Sequence, residues 1–185
     1  MKSVFKDAIL ITIAIASFVV LIAGVFQLAS FLHHDDPEEI LSFVIAAKTY
    51  HEKIEVTNLL ESIEILLTVI PGESVENTSE IENMIREGML SARLYRENYS
   101  WLPPTEDTLW IYTLLVKEST MIVNCYSDLN FAWLAKRSED YISCDEYCDE
   151  ARKWYEEVKD LRLQNTDDLE NLQLKVELEI NESKN

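Results

Sequence analysis

"LWIYTLLVKESTMIVNCYSDLNFAWLAKR", residues 109–137, decides how this chain folds. Tyr112, Leu115, Ser119, Ile122, Tyr126, Leu129 and Trp133 fall in it at alternating steps of three and four, the seam of a helical bundle. "LWIYTLLV" is apolar on nearly every side, so the helix is expected at the centre of the bundle. Thr105 is a candidate cap, with Glu106 and Asp107 in the first turn.

Downstream, "KRSED" interrupts the pattern and Ser138 is a candidate cap. Tyr141, Cys144, Cys148, Ala151, Tyr155 and Val158 then resume the same spacing, out of phase by one residue. A hairpin explains the slip, as does one long helix with a stutter; the hairpin is expected. The tail "NLQLKVELEIN" fits a strand by its alternating Leu172, Leu174, Val176, Leu178 and Ile180. It fits a helix by Leu169, Leu172, Val176 and Ile180. A lone strand has nothing to pair with in a helical chain, so helix is expected.

Upstream, "DDPEEILSF" has the form of a helix start, with Asp36 at the cap and Pro37 at the first position. Its apolar stripe takes Ile40, Phe43 or Val44, Ala47 and Ile54, then Leu59, Leu60, Ile63, Leu66 and Leu67, up to Pro71-Gly72. "YHEKIE" is polar enough to turn the chain and make two helices of one. Ser79-Glu80-Ile81-Glu82 reads as a capping box. It opens a helix with Ile81, Met84 or Ile85, Leu90, Leu94 and Tyr95 inward, closed by "WLPPTED". The one loose helical repeat spacing, from Phe43 to Pro71, has no second copy. The expected fold is therefore all-α, a bundle of about four to five helices.

The far N-terminus is different in kind. Ala8 to Leu32 carries no charge and, as a helix, extends about 37 Å, enough for a hydrocarbon core of about 30 Å. Five Ile, three Leu, three Val and two Phe between Ala8 and Ala29 favour insertion, by about 4–8 kcal/mol at most. The run is long for a cleaved export signal and lacks a good small-x-small site near its end. It is expected to be a retained single-pass signal-anchor, ahead of a cleaved signal or a soluble core helix. Lys2 and Lys6 precede it and "HHDDPEE" follows. The positive-inside rule then divides the chain into a cytoplasmic N-terminus with anchor, 1–32, and an external acidic domain, 33–185. Ala8, Thr12, Ala16, Val20 and Gly24 recur every fourth residue, a candidate contact face for another membrane helix.

The chain has 34 acidic and 16 basic residues. Without Lys2, Lys6 and Asp7 the outer part keeps 33 and 14, a net −19. That disfavours nucleic acid and anionic headgroups, which attract basic surfaces. Solubility is the plain explanation of the charge.

Signatures of chemistry are scarce. No phosphate-binding glycine loop, nucleophile elbow, His-Glu-x-x-His or calcium loop occurs. His33 and His34, with Asp35 and Asp36, read as a polar collar beside the membrane rather than a metal site. His51 with Cys144 and Cys148 lacks the Cys-x-x-Cys spacing of structural zinc. The acidic "CDEYCDEARKWYEE" reads as a solvated helix face, and Trp101, Trp110, Trp133 and Trp154 as core. Sequons begin at Asn77, Asn98 and Asn181. If "KRSED" turns the chain, Cys125 and Cys148 come level, giving a candidate disulfide with Cys144 free; the alternative is three buried thiols. No catalytic, cofactor or metal residues are assigned.

The functional expectation is a non-catalytic binding, sensing or scaffolding role at the outer membrane surface. Its partners are lipid, through residues 8–32, and another protein or a second copy. The alternatives are a membrane-tethered enzyme or a pilin-like filament subunit.

Overall fold

The computed structural model describes residues 36–56, 58–72 and 78–184, with 53–56 as backbone only. Five helices and no strand occur among them: α1 Pro37–Val56, α2 Leu59–Val69, α3 Thr78–Ser100, α4 Leu109–Arg137 and α5 Tyr141–Ser183. The all-α bundle expected from the spacing is what forms.

Cross-helix contacts fix the topology. Cys125 lies against Ala151, and Glu118 against Arg162, so α4 and α5 run antiparallel. Arg137 pairs with Glu82, and Tyr95 meets Glu118, so α3 runs antiparallel to α4. Along α5, Gln173 receives Lys48 of α1, Thr166 meets His51, and Tyr155 reaches Glu64 of α2. α1 and α2 thus succeed each other as one broken rod, and the domain is an up-down-up-down bundle. The break is later than "YHEKIE", which stays helical. It lies at Asn58, in the left-handed region with φ 50° and ψ 32°, where Asn is among the tolerated residues.

The hairpin and the helical tail both form: α5 is one helix of 43 residues. Its cap is Asp140 rather than Ser138. The Asp140 carboxylate accepts from Ser143 N at 3.2 Å, while Ser138 closes α4 through Leu134 O and Ala135 O. Between them Glu139 takes φ 61°. At the other end of α4 the cap position falls to Thr108, and Thr105 to Asp107 stand outside the helix.

The α4 seam is buried from Leu115 to Trp133, and Ile111, Met121, Val123, Cys125 and Ala132 join it, so α4 is the enclosed helix. On α5, Cys144, Cys148, Ala151, Tyr155, Val158, Leu169 and Val176 are buried, but Tyr141 is 61% exposed. Tyr141 is the first residue of α5, directly after the Asp140 cap. On α3 the inward residues are Ile81, Ile85, Gly88, Ala92, Tyr95 and Tyr99, whereas Leu90 and Leu94 face outward. Small residues hold the seam there because Tyr126 of α4 packs directly on Gly88; a Cβ at 88 would overlap its ring. Tyr126 then donates to Leu59 O at 2.9 Å, tying α2 to α4.

The expected anchor, its small-residue face, His33, His34 and the Asn77 sequon lie outside the described residues. Among the described residues no helix is long and apolar enough to cross a membrane.

Candidate functional site

A polar layer crosses the middle of this apolar interior. Glu118, on the α4 seam between Leu115 and Ile122, has no solvent-exposed surface. A bare carboxylate there would be costly, so its partners matter. Arg162 Nη1 of α5 donates to Oε1 at 3.2 Å, and Asn165 Nδ2 donates to Oε2 at 2.6 Å. Tyr95 of α3 donates to Oε1 at 3.4 Å and its hydroxyl is 2.6 Å from that of Tyr99. The two phenols share one hydrogen bond, to which either can be the donor. Tyr99 in turn meets Tyr50 of α1 edge-on, ring centres 6.0 Å apart.

His51 brings α1 into the layer. Thr166 Oγ1 donates to Arg162 O at 2.9 Å, which uses its only proton. The 2.9 Å contact between His51 Nε2 and Thr166 Oγ1 therefore has the imidazole N–H as donor. His51 Nδ1 keeps its lone pair, 3.5 Å from Tyr95 Oη and 3.7 Å from Glu118 Oε2. The latter separation would be an ion pair if the ring were protonated. Burial, then the neighbouring Arg162 charge, hold the ring neutral and bring its pKa down to about 3. Arg162 Nη2 also donates to His51 O at 3.0 Å.

Burial pushes the Glu118 carboxyl above its usual range, opposed by Asn165, Arg162 and Tyr95. Burial likewise raises both phenols. One anion, one cation and a neutral imidazole balance in charge. Asn165 Oδ1 is the exception to polar pairing: it is buried without a partner among the described residues. The layer joins α1, α3, α4 and α5, and its chemistry is spent on its own members. Leaving any charged member unpaired here is strongly destabilising.

The sequence marks Tyr95 as inward and weighs His51 for metal; Glu118, Arg162 and Asn165 it does not single out, yet a signal is present. Glu118 lies on the inward stripe of α4, and Val158, Arg162, Asn165 and Leu169 continue the three-four spacing of α5. A charged residue on a seam position is the mark of such a layer.

Of the residues singled out from sequence, His51 and Tyr95 belong to this layer and the cysteines lie elsewhere. Cys125, Cys144 and Cys148 are buried free thiols, so the Cys125–Cys148 bond is not formed in this structure; Cys125 Sγ donates instead to Ala151 O at 3.3 Å. Burial raises all three thiols, Cys148 to about 12. His51 meets α5 at Arg162 and Thr166, some fourteen residues beyond Cys148, roughly 21 Å along the helix. The structure thus separates the three residues weighed for metal. Among the described residues no group of His, Cys, Asp or Glu is arranged to hold an ion. Glu146, Asp149, Glu150 and Glu157 form the solvated face expected, with Asp149 and Glu150 paired to Arg152 and Lys153. Of the tryptophans only Trp133 is core. Trp154 is half-buried and bonds Asp128, Trp110 is exposed, and Trp101 is 82% exposed. Asn98 is half-buried on α3 and Asn181 is exposed on α5.

No family model, no curated protein and no solved structure matches this chain.

Proposed function

We propose that this chain is a single-pass membrane protein, N-terminus cytoplasmic, whose bundle acts outside as a non-catalytic binding or scaffolding module. The observation that carries the reading is the division of its residues between inside and surface. The chemistry-bearing side chains, Glu118, Arg162 and His51, are buried against one another. Large apolar side chains stand in solvent, foremost Trp101 and Ile142. A buried, internally neutralised carboxylate supports a structural role; Trp101 and Ile142, exposed beyond opposite ends of α4, are two separate candidate contact points for a protein partner. The uncharged run at 8–32 and its charge flanks support the anchor and its orientation. The partner is another protein or a second copy.

Two experiments test this. Protease added to intact cells digests residues 33–185 and spares the N-terminus; a protected bundle overturns the orientation. The intact protein, recovered from its native membrane, retains a protein that the folded Trp101→Ser and Ile142→Ser variants lose. Equal recovery by both variants and the parent removes these residues from the interface.

A further inference from the structure

The polar layer does more than join four helices, because of where it lies relative to the break at Asn58. α2 is pinned on the far side of that break by contacts that bypass the layer. Tyr126 holds Leu59 O, Tyr155 holds Glu64, and Lys136 donates to Ile70 O and Gly72 O. α1 is held on the near side by the layer itself, through His51 Nε2 on Thr166 and Arg162 on His51 O, together with Lys48 on Gln173. Its apolar grip is Ile40, Phe43, Val44 and Ala47. A helix with a left-handed residue at one end and a histidine fastening in its body has the parts of a hinge and a catch.

We propose that the His51 fastening is an acid-sensitive latch, which releases α1 from α5 about the Asn58 break while α2 to α5 stay assembled. The titratable and charged groups facing the ring are Tyr95 from α3, Glu118 from α4 and Arg162 from α5. A second proton on His51 would place two cations around the single carboxylate of Glu118 in one buried layer, with Arg162 already committed to His51 O and Glu118. Opening exposes the ring to water, where it accepts the proton freely.

The direction follows from linkage. The closed ring has its pKa lowered from 6.5 to about 3, so closure is favoured above 6.5 and weakens as pH falls toward 3. From pH 7 to pH 5 this multiplies the open population about 25-fold. Glu118 acts in the opposite sense: its raised pKa favours closure in acid, so it offsets part of the effect.

The test is amide hydrogen exchange on the full chain in detergent micelles, at pH 7 and pH 5, with rates corrected for intrinsic exchange. In the parent, protection of residues 37–52 falls about five- to 25-fold while the 115–133 and 144–158 seams keep theirs. His51→Gln, which retains a donor for Thr166 but takes no proton, responds less than twofold. Glu118→Gln removes the opposing titration and responds at least as steeply as the parent. The latch is overturned by equal protection of α1 at both pH values in parent and Glu118→Gln. Loss of protection in all helices together, or an undiminished response in His51→Gln, overturns it as well.

Discussion

Arg162 bridges two elements at once: its Nη1 lies 3.2 Å from Glu118 Oε1 on α4, and its Nη2 lies 3.0 Å from His51 O on α1. One side chain therefore neutralises the buried charge and holds a neighbouring helix by its backbone. Arg162→Met strips Glu118 of its counter-charge and is expected to cost about 3–5 kcal/mol. The double variant Glu118→Leu/Arg162→Met removes both charges and recovers a substantial part. Urea denaturation of the full chain measures both, and a double variant no more stable than the single one contradicts this view of the pair.

Gly88 lies mid-helix, where alanine is ordinarily the better residue by about 1 kcal/mol. Here the Tyr126 ring fills the space a Cβ needs. Gly88→Ala is therefore expected to destabilise by about 1–3 kcal/mol through overpacking. It should also loosen the Tyr126 bond to Leu59 O. A stabilised Gly88→Ala protein would show that α3 and α4 do not approach this closely.

Glu139 holds a left-handed conformation in the α4–α5 turn at φ 61°, where a side chain costs about 1 kcal/mol and glycine costs nothing. Glu139→Gly is expected to raise stability by about 0.5–1 kcal/mol, read as a higher denaturation midpoint. Asp140→Ala, which removes the cap on Ser143 N, should lower it by about 1 kcal/mol.

The buried, raised thiols of Cys125, Cys144 and Cys148 are poor nucleophiles near neutral pH. A thiol reagent at pH 8 should find none of the three within minutes in the folded protein, and all three once it is denatured without reductant. Fewer than three in the denatured protein would mean that a bond such as Cys125–Cys148 forms in the cell.

The seam residues from Leu115 to Trp133 were legible because volume and period agreed: large side chains recur at the helix step. α3 was misread at Leu90 and Leu94 for the converse reason. Its inner line runs through Gly88 and Ala92, and smallness carries no apolar signal even where it is what allows close packing. In the buried layer, the spacing puts Glu118 and Arg162 each on its own helix seam, but their mutual pairing, which makes the burial tolerable, is not encoded by periodicity within one helix. Trp101 was misplaced because size suggested core, whereas the turn at Pro103-Pro104 buries Leu102 and leaves its neighbour outside. The cap moved from Ser138 to Asp140 because closing α4 takes three residues that spacing alone does not count.

α5 is a single uninterrupted ruler on which the other helices are measured: α4 along its first half, α2 beside Tyr155, α1 along its last turns. A ruler transmits error. One residue inserted near position 160 leaves the Cys144–Val158 face on α4 but turns everything beyond it by about 100°. Arg162 then leaves His51 O and Glu118, Asn165 leaves Glu118, and Gln173 leaves Lys48. The chain can vary in length between its helices far more freely than within this one, so its tolerance to insertion is set by architecture rather than by how exposed a given residue is.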